Sequence, residues 1–172
     1  MSSNRLAEKL ERGALVLDGA IGTEFYERGF FINVCYESLC LTQPDVVRQV
    51  HTSYVGAGAQ VLTTNSYAAN RPNLNEHGLG DKLDEINTTA VKLARECGGE
   101  QALVAGSLGP LGKLDVPRHE LDNTAVQVLS EQAKVLEAAG ADFLIFETLP
   151  SRRDAIRAVR AADAVAIPYV LS

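Results

Sequence analysis

No stretch of these 172 residues is apolar for long enough to span a bilayer, which takes about 20 such residues in a row. Met1 to Arg12 is polar and charged, with nothing like the apolar centre of a secretory signal, so a cytoplasmic location is the expectation. Lysine and arginine number 16 against 22 acids, a net charge of −6, and they neither cluster nor interleave with aromatics. Phosphate recognition needs concentrated basic charge, so no nucleic-acid partner and no membrane partner is expected. Cysteine is scarce: Cys35, Cys40 and Cys97. An odd count without a secretion signal argues against a disulfide framework. Four residues separate Cys35 from Cys40, but no second ligand pair lies nearby to complete a metal site, and free thiols are the plainer reading. His51, His77 and His119 are scattered, and His51 falls on a helical pattern where packing or exposure outweighs ligation. There is no P-loop, no G-x-G-x-x-G opening a helix, and no placeable Ser/His/Asp or Cys/His set. No linker or low-complexity segment divides the chain, so residues 1–172 read as one domain, with an ordinary 46% hydrophobic content.

What is present is a repeated alternation. Five short apolar runs each end in a small or polar residue: Ala14–Leu17 before Asp18, Val61–Thr64 before Asn65, Ala102–Gly106 before Ser107, Phe143–Phe146 before Glu147, and Ile167–Leu171 before Ser172. Helical patterns separate the later runs, over about Pro44–Tyr54 (Val46, Val50, Tyr54 inward) and Asp81–Cys97 (Leu83, Ile86, Ala90, Leu93, Cys97 inward). Two more span about Asn123–Ala139 (Ala125, Val128, Val135, Ala139 inward) and Ser151–Ala162 (Ala155, Ile156, Val159 inward, with Ser151 as N-cap). This predicts an α/β fold with consecutive βα units and a parallel sheet, whose ligand site lies at the C-terminal ends of the strands. Gly58-Ala59-Gln60-Val61-Leu62 also matches Gly140-Ala141-Asp142-Phe143-Leu144, a weak repeat that aligns Asn65 with Glu147. The longest irregular stretches, Gly19–Gln43 and Ser107–Leu121, both follow strands, on the functional side.

The strand ends supply the candidates. Asp18-Gly19-Ala20 offers a carboxylate beside exposed backbone N–H groups, able to meet both ends of an amino acid; a capping aspartate with turn glycines explains it equally well. Glu147, directly after four apolar residues, is costly in a core unless paired. A ligand amine or a loop arginine would satisfy it. Thr63-Thr64-Asn65-Ser66-Tyr67 and Ser107-Leu108-Gly109-Pro110 complete the expected rim.

These same residues carry a family resemblance. Leu15-Val16-Leu17-Asp18-Gly19-Ala20-Ile21-Gly22-Thr23-Glu24 resembles the opening motif of homocysteine S-methyltransferases. So do Pro44-Asp45-Val46-Val47 with His51 and Tyr54, then 58–67, 106–110 and 140–148, in the family's order over nearly the whole chain. The family includes the homocysteine-binding module of cobalamin-dependent methionine synthase and the betaine- and S-methylmethionine-dependent enzymes. The resemblance implies a TIM (β/α)8 barrel, here the N-terminal portion of a homocysteine-binding domain that stops after about the fifth strand, short of the roughly 250 residues of a whole barrel. It implies homocysteine as substrate and a methyl donor drawn from methylated folate or cobalamin, betaine or S-methylmethionine. It assigns the substrate amine to Asp18 and Glu147, with Gly19, Ala20, Thr64, Asn65 and Ser66 near the other end. In that family zinc, held by one cysteine after the sixth strand and two in a Gly-Gly-Cys-Cys-Gly run, stabilises the homocysteine thiolate that takes the methyl group and becomes methionine. Neither cysteine motif occurs here, and Cys35, Cys40 and Cys97 match none of those ligands. Two readings follow: a methyltransferase whose 172-residue stretch is inactive alone, or a non-catalytic binding or scaffolding protein completed by self-association or a second chain. A barrel lyase or aldolase would want a strand-end lysine for a Schiff base, and no strand ends in one.

Overall fold

Helical and strand patterns of the predicted kind do alternate along this chain, in a computed structural model that describes residues 5–31 and 33–172. Residues 1–4, in the polar N-terminal segment, and Ile32, in the first irregular stretch, lie outside the described residues. The helices are α1 (Arg5–Leu10), α2 (Ile21–Glu27), α3 (Leu39–Thr42), α4 (Pro44–Gly56), α5 (Arg71–Glu76), α6 (Leu83–Gly98), α7 (Leu121–Ala138) and α8 (Arg152–Ala162). The strands are β1 (Val61–Thr63), β2 (Leu103–Leu108), β3 (Phe143–Phe146) and β4 (Tyr169–Leu171). They form one parallel sheet in sequence order, with Val61 opposite Leu103, Ala105 opposite Phe143 and Leu144 opposite Tyr169. Among the described residues no helix is long and apolar enough to cross a membrane.

The first predicted strand is corrected. Ala14–Leu17 contributes only a parallel bridge of Leu17 to Val61, with Val61 N–H on Val16 O at 3.2 Å and Asp18 N–H on Val61 O at 3.0 Å. It has a sheet neighbour on one side, and Val16 and Leu17 stay 58% and 43% exposed, so too little is buried to hold a full ladder. The last run is shortened to Tyr169–Leu171 because Pro168 has no N–H to donate; its carbonyl accepts from Leu144 N–H at 2.9 Å. The 19–43 stretch is not irregular throughout: it holds α2, a 3-10 turn at Tyr36–Ser38 and α3.

Both faces of the sheet are covered, as a parallel sheet requires. Leu62, Val104, Leu108, Leu144 and Phe146 pack under α6, α7 and α8. Val61, Leu103, Ala105, Phe143 and Ile145 face the other way, against Leu6 of α1. Arg5 of that helix pairs with Asp142 at 2.7 Å, and Asp142 also takes Arg95 at 2.6 Å. The short α1, with one buried apolar residue, carries no periodic stripe for a sequence to show.

Several predicted inner faces shift. On α4 the buried residues are Val47, Val50 and His51, with Val46 and Tyr54 flanking. His51 is fully buried with neither ring nitrogen hydrogen-bonded among the described residues, and burial pushes it down to about 4, so it packs as a neutral ring. On α7 the inner face is Ala125, Leu129, Gln132, Ala133 and Leu136. On α8 it is Ala158, Ala161 and Ala162, leaving Ile156 and Val159 outside. Ser151 caps α8 as predicted, accepting from Asp154 N–H at 3.2 Å.

Candidate functional site

Side chains alternate along a strand, so the residues in step with Val61, Leu103 and Phe143 at the C-terminal ends are Thr63, Ser107 and Glu147. All three line one cavity of about 190 Å³, together with Gly19, Ala20, Thr64, Asn65, Tyr67 and residues of the 19–43 segment. Among the described residues no lysine or arginine lines it, while Glu37 and Glu147 do.

Asp18 does not itself line this cavity; it directly precedes Gly19 and is hydrogen-bonded to Thr63, both of which do. Its carboxylate accepts Thr63 N–H at 2.8 Å and the Thr63 hydroxyl at 3.0 Å. Burial pushes its pKa up to about 6, the Glu147 charge adds to the rise, and the Thr63 hydrogen bonds oppose it. Glu147 is held from the side: its backbone N–H donates to Leu108 O at 3.0 Å, and the Ser107 hydroxyl donates to its carboxylate at 2.5 Å. Thr148, next along, has φ 59°, a left-handed conformation that a β-branched residue rarely takes and that turns the chain sharply after Glu147. Gly109 leaves room for the Tyr67 ring, since a Cβ there would lie 2.5 Å from it.

The remaining predicted residues divide. Gly19, Ala20, Thr64, Asn65 and Glu147 line the cavity, and Ser66 does not. Ser66 is fully buried behind the wall, its hydroxyl donating to Ser107 O at 2.8 Å. The Asn65 amide is also engaged within the protein, donating to Tyr36 O at 2.7 Å. Glu37 is the residue that sequence reading missed. It is 7% exposed, accepts Ala68 N–H at 2.9 Å, and sits on a 3-10 turn far from any strand end, so no strand pattern marks it.

A second cavity, of about 240 Å³, opens between the 109–121 loop, Phe146 and α8. It is mostly apolar, and its charged residues are spent on ion pairs, Arg157 with Asp154 and with Asp122, each at 2.7 Å.

The cysteines do not fit the zinc set that the sequence resemblance implies. Cys40 donates to Asn65 O at 3.5 Å, Cys35 to the Glu37 carboxylate at 3.5 Å, and Cys97 to Arg48 O at 3.6 Å. Burial pushes the Cys40 thiol up to about 12, and burial with the Glu37 charge pushes Cys35 to about 11, whereas a metal binds the thiolate. Among the described residues, no three His, Cys, Asp or Glu side chains are grouped so as to hold a metal.

The family model for homocysteine S-methyltransferase matches residues 15–172. The chain is 30% identical over 155 residues to methionine synthase of Mycobacterium leprae (strain TN), covering 83% of this chain and 13% of that protein. It is 30% identical over 169 residues to homocysteine S-methyltransferase 1 of Zea mays, covering 83% of this chain and 52% of that one. In three dimensions it resembles the oxidized form of the homocysteine methyltransferase MmuM from Escherichia coli, with a TM-score of 0.78, 27% identity, and coverage of 92% of this chain and 61% of that chain. The metallated form of MmuM gives 0.70 and 28%, over 87% of this chain and 59% of that one. The chain thus spans about half the length of the maize relative and an eighth of the mycobacterial one.

Proposed function

The chain belongs to the homocysteine S-methyltransferase family, and from that premise we propose that it holds homocysteine by its amino-acid end. Glu147 takes the substrate ammonium, with Asp18 as the second negative charge. Gly19, Ala20 and the Thr64–Asn65 backbone face the substrate's other end, with Ser66 supporting that wall from behind. In the transfer, a lone pair of the homocysteine sulfur forms the new S–CH3 bond, the donor–methyl bond breaks with its electron pair leaving on the donor, and the thiol proton is lost. The residues described here bind and orient; they supply no group to lower the thiol's pKa, and we infer that they do not catalyse methylation by themselves. The donor class, whether methylated folate or cobalamin, betaine or S-methylmethionine, is not selected by any residue of the cavity.

The observation that carries this reading is an acidic cavity without a lining cation, whose glutamate is aimed by Ser107. A carboxylate that meets only neutral donors inside the protein is matched by an ammonium from outside. The test is calorimetric titration with homocysteine. Glu147→Gln keeps the shape and removes the charge; a hydrogen bond to a charged group is worth roughly 1.5–3 kcal/mol, so affinity should fall about ten- to a hundredfold. Normal affinity with a sharply lower Tm would make Glu147 structural and end the proposal.

The reading as a non-catalytic binder draws on one further observation. Val16 and Leu17 at one sheet edge and Tyr169, Val170 and Leu171 at the other are exposed. Such edges favour completion of the sheet by further polypeptide, from the same chain, a second copy or another protein.

A further inference from the structure

Behind the cavity, on the helix side, lies a polar group the reaction does not use. Gln132 of α7 is fully buried, among other buried polar residues of the sheet and α6. Its amide nitrogen donates to Ser66 O at 2.7 Å and to Asn87 Oδ1 of α6 at 3.1 Å, and reaches Ser107 O at 3.5 Å. Its amide oxygen has no partner among the described residues. A buried acceptor left unpaired is costly, and an apolar side chain of the same length would avoid the cost. What the glutamine keeps, at that cost, is its N–H groups.

Those N–H groups close a network that joins the ends of β1 and β2. Ser107 N–H donates to Thr64 Oγ1 at 2.9 Å, and the Ser66 hydroxyl donates to Ser107 O at 2.8 Å. Thr64 and Ser66 hydroxyls are 2.6 Å apart. Because the single Ser66 proton is committed to Ser107 O, Thr64 is the donor between them. Asn87 anchors the network to α6 by donating to Ala69 O and Leu83 O, each at 2.9 Å. Ser107 is therefore fixed at both its N–H and its carbonyl, which leaves its hydroxyl aimed at Glu147.

We propose that Gln132, which does not line the cavity, is a positioning residue for the ammonium subsite. It locks the ends of β1 and β2 into one unit and through Ser107 sets the Glu147 carboxylate. This inference rests on the proposed role of Glu147.

The test compares homocysteine with 4-mercaptobutanoate, which keeps the thiol and carboxylate and lacks the amine. The wild-type chain should prefer homocysteine about ten- to a hundredfold, the effect of one charged hydrogen bond. Gln132→Met should cut that preference by about tenfold while leaving 4-mercaptobutanoate affinity within about twofold. Val91→Ala, a cavity in the same layer, should lower Tm and leave the preference intact. Amide exchange supplies a readout that needs no ligand: in Gln132→Met, protection at Ser66 and Ser107 should fall relative to Leu103 on the same sheet. Should Gln132→Met not fold, Asn87→Ala removes the partner that anchors Gln132 to α6 and should produce the same changes at smaller size. An unchanged preference, or unchanged relative protection, overturns the role of Gln132. A wild-type chain with no preference for homocysteine overturns the ammonium reading instead, and the locking role is then decided by exchange alone.

Discussion

Asp18, proposed as part of the ammonium site, is held at odds with the stability of the protein. Its carboxyl titrates near 6 in the fold against 3.8 in an unfolded chain, chiefly through burial. Between those values the folded state keeps a proton that the unfolded state has lost. Stability from this group is present below about pH 4 and is lost as pH rises through about 6. Asp18→Asn removes that dependence. The amide oxygen can still accept Thr63 N–H, and the new NH2 can donate to the Thr63 hydroxyl once that rotates. We therefore expect Asp18→Asn to be as stable as wild type or more so at pH 7.5, with its advantage shrinking by pH 4.5. Homocysteine affinity should fall about ten- to a hundredfold at the same time. Wild-type affinity should also weaken from pH 7.5 to pH 5, as Asp18 gains its proton. Thermal melts of both proteins at the two pH values decide this; a variant less stable at pH 7.5 than at 4.5, relative to wild type, refutes it. The sequence singled out Asp18 and Glu147 because an acid after an apolar run has few explanations. Glu37 and Gln132 carried no such signal, because each is placed by neighbours distant in the chain: Ala68 for one, Ser66 and Asn87 for the other.

At the scale of elements, the weak sequence repeat turns out to be a structural one. Gly58 and Gly140 have φ of +99° and +96° and lead from a helix into a strand. Gln60 N–H donates to Val16 O and Asp142 N–H to Val104 O, each at 2.8 Å. Their side chains answer in kind, Gln60 Oε1 accepting Val16 N–H at 3.1 Å and Asp142 Oδ2 accepting Val104 N–H at 2.8 Å. The same turn thus staples each new strand to its predecessor. Gly140→Ala forces a side chain into the left-handed region, and we expect a loss of about 1 kcal/mol or more in stability, read as a lower urea midpoint, with homocysteine affinity unchanged. A neutral effect on stability would show that the turn relaxes freely. The inner face of α8 was misjudged for a physical reason. Reading by side-chain size selects Ile156 and Val159, but α8 comes close enough to its neighbours that only Ala158, Ala161 and Ala162 fit.

For the molecule as a whole, the thiols make a prediction about metal. Cys35 and Cys40 are buried with raised pKa values and hydrogen-bond within the protein, and Cys97 lies apart on α6. Purified chain should therefore carry no stoichiometric zinc and should not methylate homocysteine unaided. Metal analysis showing about one zinc per chain, lost in Cys35→Ser or Cys40→Ser, would refute it.

The order of strands, their parallel sense and the rim that bears Asp18, Asn65, Ser107 and Glu147 follow from local pattern, since short apolar runs between amphipathic helices leave few other ways to bury both faces of a sheet. Family membership was equally legible, because its motifs lie on those strand ends in contiguous runs. Tertiary structure alone decided that the Ala14–Leu17 run stays a single bridge, since a strand needs a partner that its own residues cannot specify. It alone decided, too, that Ser66 stands behind the cavity and Thr64 in its wall, because that depends on which of two neighbouring hydroxyls the carbonyl of Ser107 engages from across the sheet.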